Sequence, residues 1–202
     1  MGLLGGSFNP AHAGHLHVAR LARRRLRLHQ VWLLVSPGNP LKPTAGMAAL
    51  PVRLAAARTV ADGRRVVATD IERLLRTRYT VDTVSILRQR FPRVRFVWLM
   101  GADNLVQLPS WRRWRRIVAQ VAFAVLPRPT YNHRALAGLA ARRLHAARRG
   151  AQAAPALAAM PPPAWVFLGA RQNAASATAL RLSARPFDAM SGTAARPVAT
   201  GV

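Results

Sequence analysis

Apolar residues in this chain fall into short unbroken runs, separated by glycine, proline and longer stretches in which apolar positions recur every three or four residues. That alternation predicts an α/β fold: a Rossmann-like open parallel sheet with helices on both faces. Gly2–Leu4 reads as a very short first strand. "VWLLVS" (31–36) is a second, apolar throughout as buried parallel strands are. "RVVATD" (65–70), "VRFVWLMG" (94–101), "VAFAVLP" (121–127) and "AWVFL" (164–168) supply four more. Between them, helical spacing covers about 14–28, where Leu16, Ala19, Leu21, Leu26 and Leu28 form the buried side. It also covers 52–61, a helix capped by Thr80 through "VDTVSILRQRF", a short one in "SWRRWRRIV", an Ala- and Arg-rich one over 134–149, and a last one from "SATALRL". Three prolines keep "PGNPLKPTAG" (37–46) out of regular structure, and "GAQAAPALAAMPPP" (150–163) reads as an exposed connection. The organisation expected is one domain over 1–185, with a sheet core at about 1–126, a C-terminal subregion at about 164–185, and a frayed tail over 186–202. The first strand has almost no residues before Gly5, which suggests a native start upstream of Met1.

Composition narrows the classes. A chain of 202 residues is long enough to bury a core as one domain. No apolar run approaches the roughly 18 residues that span a bilayer, and "MGLLGGSFNP" lacks the basic start of a signal peptide. Without cysteine there is no disulfide framework or thiolate site. A soluble cytoplasmic protein is the expectation. The formal charge of +25 comes from 31 basic residues, of which only Lys42 is a lysine. An electrostatic footprint for nucleic acid is one reading. Runs such as "ARLARRRLRLH" fit an amphipathic helix with leucines inward, so an arginine-rich solvated surface explains the charge more simply. The charge also suits anionic small ligands. Acidic residues number six: Asp62, Asp70, Glu72, Asp82, Asp103 and Asp188. Mechanisms built on clustered carboxylates therefore have little to draw on.

The chemistry concentrates in "GGSFNPAHAGHLHVA" (5–19), at the carboxyl end of the first strand, where ligands bind in open α/β sheets. Gly5 and Gly6 allow a tight turn and close approach of a ligand to the backbone. The helix from Gly14 aims unsatisfied N–H groups and its dipole at the same space, making an anion site. Neither G-x-x-x-x-G-K-[ST] nor G-x-G-x-x-G is present. His12 and His15 take the place of a P-loop lysine, donating N–H bonds to phosphate, which would favour the charged imidazoles. A metal pair is the alternative, but no third ligand of suitable type sits nearby. His17, inside the helix, reads as structural.

"GGSFNPAHAGHL" resembles the signature of the His-x-Gly-His nucleotidyltransferases and, more closely, of the bacterial nicotinate-nucleotide adenylyltransferases. Four further matches follow in order. Lys42 of "NPLK" matches a lysine that reaches the ATP phosphates. Tyr79 and Thr80 of "RYTVDTVSIL" match the segment lining the nicotinate pocket. In "MGADNLVQLPSWRRW", Gly101, Ala102 and Asp103 resemble a turn beside the nucleotide, Trp111 the residue stacked on the pyridine, and Arg112 its amide neighbour, while Trp114 reads as core. Ser176, Thr178 and Arg181 of "SATALR" match a Ser-Ser-Thr-x-x-Arg phosphate grip. Two positions depart: Ala177 stands where the family often has serine, and Asn9 where it often has aspartate.

The resemblance implies transfer of the adenylyl group of ATP to nicotinate mononucleotide in NAD biosynthesis. It assigns His12, His15, Lys42 and Arg181 to catalysis and adds Gly5, Gly6, Ser7, Phe8, Gly101, Asp103, Ser176 and Thr178 to the ATP site. Tyr79, Thr80, Trp111 and Arg112 go to nicotinate mononucleotide. Mg²⁺ would arrive on the ATP phosphates, with no ligand from protein side chains. Other readings are adenylyl transfer to nicotinamide mononucleotide or phosphopantetheine, and a basic nucleic-acid-binding module. Neither membrane nor specific nucleic acid is an expected partner, and oligomeric state is open.

Overall fold

The computed structural model describes residues 1–38 and 46–169. The predicted helix from 176, the phosphate grip and the tail lie outside the described residues, as does Lys42. A seven-stranded sheet, parallel at every pairing, runs in the order β3-β2-β1-β4-β5-β7-β6. Its strands are β1 (Gly2–Gly6), β2 (Val31–Val35), β3 (Val66–Thr69), β4 (Val97–Gly101), β5 (Ala122–Leu126), β6 (Arg148–Arg149) and β7 (Trp165–Phe167). The helices are α1 (Ala13–Arg25), α2 (Leu50–Val60), α3 (Ile71–Leu74), α4 (Thr80–Arg90), α5 (Ala102–Gln107), α6 (Trp114–Gln120), α7 (Asn132–Leu136) and α8 (Leu139–Arg143).

Period-two alternation along the strands divides the core in two. Leu4, Leu33, Val35, Leu99, Ala124 and Val166 face one way, under α1 and α2. Leu3, Leu34, Trp98, Met100, Phe123 and Trp165 face the other, under α4 to α8. Strand order reverses between β1 and β4, which leaves a crevice at their carboxyl ends.

Several expectations are corrected. β1 has five residues, all paired with β2, so it is a full strand. Gly5 and Gly6 lie in that strand and do not make the turn after it. The left-handed residue there is Phe8, at φ 46°. A Cβ on Gly5 would lie 3.1 Å from the Trp98 ring and one on Gly6 3.2 Å from Phe8, so both glycines provide clearance. α1 ends at Arg25 because Arg27, at φ 49°, turns the chain, although Leu26 and Leu28 remain buried. Thr80 is the first helical residue of α4; Tyr79 holds the cap position, and no side chain caps the helix.

The helix expected over 134–149 breaks into α7, α8 and a 3₁₀ turn, with Gly138 extended at the start of α8. Its last residues form β6, which apolar patterning could not reveal in "RR". The connection expected to be exposed holds a 3₁₀ helix, Ala151–Ala159, that buries Ala154 and Leu157 completely. α3 and α5 were not anticipated, being too short to show a helical period.

Candidate active site

A cavity of about 600 Å³ opens at the reversal point. Every described residue assigned to a site from the sequence lines it. From β1 and its turn come Gly5, Gly6, Ser7, Phe8, His12 and His15; from the end of β4, Gly101 and Asp103; from the start of α4 and the turn before α6, Tyr79, Thr80, Trp111 and Arg112. Lys42, Ser176, Thr178 and Arg181 lie outside the described residues.

The histidine pair is fixed by the start of α1. The Gly14 N–H donates to Nδ1 of His12 at 3.1 Å, and the His12 N–H donates to Nδ1 of His15 at 3.2 Å. Each imidazole thus performs the reciprocal capping that Ser and Glu perform in other helices. Because both Nδ1 atoms accept, the neutral rings carry their protons on Nε2. The rings lie 3.9 Å apart, with the Phe8 ring 4.9 Å from that of His15.

Burial disfavours the charged form of both imidazoles. His15 is lowered to about 3, first by desolvation, then by His12 and the positive charge of Arg128. His12 is lowered by the same desolvation and by Arg128. The charge expected of these histidines was that of the anion-bound site; without an anion, burial and Arg128 disfavour the charged form of both. His17 is exposed on α1 and holds no core position.

Elsewhere on the cavity wall, Trp111 meets Trp98 edge to face at 6.3 Å. The Arg112 guanidinium lies 4.7 Å over the Tyr79 ring, and that of Arg78 lies 5.9 Å from it. Arg113, at φ 50°, reverses the backbone into α6 just after the Trp111–Arg112 pair. Trp114 is only part-buried, against the second core cluster.

Sequence reasoning missed four residues. Glu72 on α3 is buried at the cavity wall and raised to about 7 by desolvation, against the opposing effect of hydrogen bonds from Thr83 and Ser36. Arg128 follows β5 and stands 3.6 Å from Asp103, an ion pair too long for a hydrogen bond. Arg53 on α2 is 2% exposed and donates to the carbonyls of Ser7, Ser36, Pro37 and Ala48, tying together the loops after β1 and β2. Trp98 lines the cavity with its indole N–H buried and unpartnered among the described residues. In the sequence Glu72 stands only as one of six acids, a scarcity that could have drawn attention to it; the arginines were hidden among thirty of their kind. Among the described residues no three His, Cys, Asp or Glu side chains form a group able to hold a metal, and no helix is long and apolar enough to cross a membrane.

Comparison with known proteins places the chain in a family. A family model described as cytidylyltransferase-like matches residues 3–183. A Gluconobacter oxydans (strain 621H) protein described as "Probable nicotinate-nucleotide adenylyltransferase" is 63% identical over 183 residues, covering 91% of this chain and 94% of that protein. A Parvibaculum lavamentivorans protein of the same description is 53% identical over 181 residues, covering 90% of each. The structure of Plasmodium falciparum nicotinic acid mononucleotide adenylyltransferase complexed with NaAD superposes with a TM-score of 0.63 at 14% identity, over 90% of this chain and 82% of that one, a likeness of fold. The chain belongs to the cytidylyltransferase-like family and, within it, to the nicotinate-nucleotide adenylyltransferases.

Proposed function

We infer that this chain transfers the adenylyl group of ATP to nicotinate mononucleotide, giving nicotinate adenine dinucleotide and pyrophosphate. The observation that carries the reading is one cavity lined by both the His12–His15 pair and the Trp111, Tyr79 and Arg112 group. A dinucleotide needs both: donors for phosphate and an aromatic wall for pyridine.

The 5′-phosphate of nicotinate mononucleotide attacks the α-phosphorus of ATP in line; a P–O bond forms and the bond to the pyrophosphate leaving group breaks. The nucleophile is already ionised near neutral pH, so no strong base is needed. Positioning and charge stabilisation carry the rate. Nε2–H of His12 and His15 donates to phosphate oxygens, and each donation strengthens as charge builds on them. Gly5, Gly6, Ser7 and Phe8 supply the backbone wall beneath ATP, and Gly101 and Asp103 flank the nucleotide. Lys42, Ser176, Thr178 and Arg181 hold the leaving pyrophosphate. Mg²⁺ enters on the ATP phosphates as part of the substrate. Trp111 stacks on the pyridine, with Tyr79 beside it, and the amides of Thr80 and Arg112 meet the ring carboxylate. Such an enzyme works in the cytoplasm, where its nucleotide substrates are.

The test is pyrophosphate release from ATP with nicotinate or nicotinamide mononucleotide, side by side. The acid is expected to win by at least tenfold in kcat/KM. Equal rates would remove the carboxylate contact, and no release with either would overturn the reading.

A further inference from the structure

Neutral histidines leave a question about charge. The reacting phosphates are anionic, yet His12 and His15 bring donors without a full positive charge. Three arginines line the described cavity: Arg78, Arg112 and Arg128. The first two flank the Tyr79 ring. Arg128 is placed differently. β5 pairs with β4 so that Leu126 stands beside Gly101, and β4 pairs with β1, whose turn carries the histidines. Arg128, two residues beyond Leu126, therefore lies near the turn that carries the histidines, and its charge is felt at both imidazoles.

The local construction aims this side chain. Asp103 Oδ1 faces Nε of Arg128 at 3.6 Å, and the remaining guanidinium nitrogens have no hydrogen-bond partner among the described residues. The pair closes over Gly101: a Cβ there would lie within 3.0 Å of Arg128 Nε and would overlap the Asp103 carboxylate. Glycine at 101 thus provides room for the ion pair. The Asn132 side chain accepts from the Arg128 backbone N–H at 2.8 Å, which fixes where the side chain leaves the chain.

We propose that Arg128 is a further catalytic residue, held by Asp103 across Gly101 so that its free guanidinium N–H groups contact the phosphate oxygens beside His12 and His15. Asp103 is then a positioning residue. A planar guanidinium engaged on one edge still offers a fork to phosphate on the other. The proposal rests on the adenylyl-transfer reading for its substrate, but its anion-binding step is measurable without turnover.

The experiment compares the full-length protein with Arg128→Met and Arg128→Lys. Inorganic pyrophosphate is titrated in while the imidazole N–H signals of His12 and His15 are followed by NMR, and kcat/KM is measured with ATP and nicotinate mononucleotide. Arg128→Met is expected to need at least tenfold more pyrophosphate to move the signals and to lose about a hundredfold in kcat/KM. Arg128→Lys should restore part of both. Wild-type pyrophosphate response and turnover within twofold of wild type, in either variant, would overturn the proposal and leave Arg128 as a mere counter-ion of Asp103. Should the wild type bind pyrophosphate at these histidines but turn over neither mononucleotide, the adenylyl-transfer reading fails while a lost response in Arg128→Met still supports the anion contact. If Arg128→Met does not fold, an unchanged response in Arg128→Lys overturns the bidentate contact and a weakened one supports it.

Discussion

The backbone N–H of His12 donates to the imidazole Nδ1 of His15, so the residue nearest the proposed chemistry also caps the helix that presents its neighbour. One ring nitrogen of each histidine serves the fold and the other is free for a ligand. Replacing His15 by alanine removes both services. Turnover is expected to fall by two orders of magnitude or more, the cost of losing one donor to a transition-state oxyanion, about 2.7–4 kcal/mol. The lost cap should lower stability by about 0.5–2 kcal/mol, leaving a folded protein. Steady-state kinetics beside thermal unfolding separates the two effects; near-wild-type turnover would end the assignment.

The depressed His15 gives a pH signature of known sign. Its folded value of about 3 lies below the ordinary 6.5, so the unfolded chain binds the extra proton more readily. The stability tied to the neutral ring is whole above pH 6.5 and drains as pH falls toward 3. Urea unfolding of wild type and His15→Gln between pH 7 and 4 should show a steeper loss in the wild type. Parallel curves would mean that the ring is not buried as a neutral group.

Glu72 tilts the other way. Raised from 4.5 to about 7, it holds its proton more tightly folded than unfolded. Its contribution is whole below pH 4.5 and lost as pH climbs through 7, on the order of 3 kcal/mol by the usual 1.36 kcal/mol per unit. Thr83 donates to the carboxyl and also meets Thr77 at 2.8 Å, so the group holds the turn leading to Tyr79. Glu72→Gln keeps the shape without the titration. The midpoint difference between variant and wild type should move in the variant's favour between pH 5 and 8, and a constant difference would contradict a raised carboxyl.

What the sequence made legible follows from how local each signal is. His12 and His15, three apart at a strand-to-helix turn, are bound to share the start of α1, and the apolar runs of β2, β4 and β5 announce buried strands. The charge state of the histidines was not legible, because it depends on desolvation and on Arg128, more than 110 residues away in the chain. Gly5 and Gly6 looked like turn residues because their partners in space, Trp98 and the Phe8 ring, leave no mark in local spacing. The two-residue β6 and the buried 3₁₀ helix over Ala151–Ala159 were missed for the same reason: tertiary contact, not periodicity, makes them.

Arg53 shows how a buried charge is accommodated without an acid. Its guanidinium is surrounded by four carbonyl oxygens from 2.7 to 3.3 Å, and burial lowers its pKa. Arg53→Met leaves those oxygens without donors, each worth about 1–3 kcal/mol when buried. With the oxygens only part-buried, a loss at the low end of that range, about 4 kcal/mol in unfolding free energy, is expected. Arg53→Lys should recover less than half, since one ammonium cannot reach carbonyls arranged for a fork. Full recovery by lysine would show that charge alone matters there.

Trp111 offers the sharpest division between the two substrates. Its ring is half-buried, braced edge-on by Trp98, and fixed in place by the left-handed turn at Arg113. If pyridine stacks on it, Trp111→Ala removes a contact of about 1–3 kcal/mol by the scale of base–aromatic stacking. The expected result is a rise of about ten- to a hundredfold in KM for nicotinate mononucleotide, with KM for ATP within twofold of wild type. Trp111→Phe, keeping a smaller π-face, should fall between. The asymmetry matters more than the size. An equal rise for both substrates would mean that Trp111 supports the cavity through Trp98 and does not meet the pyridine, whereas a rise confined to the mononucleotide assigns the pyridine contact to Trp111.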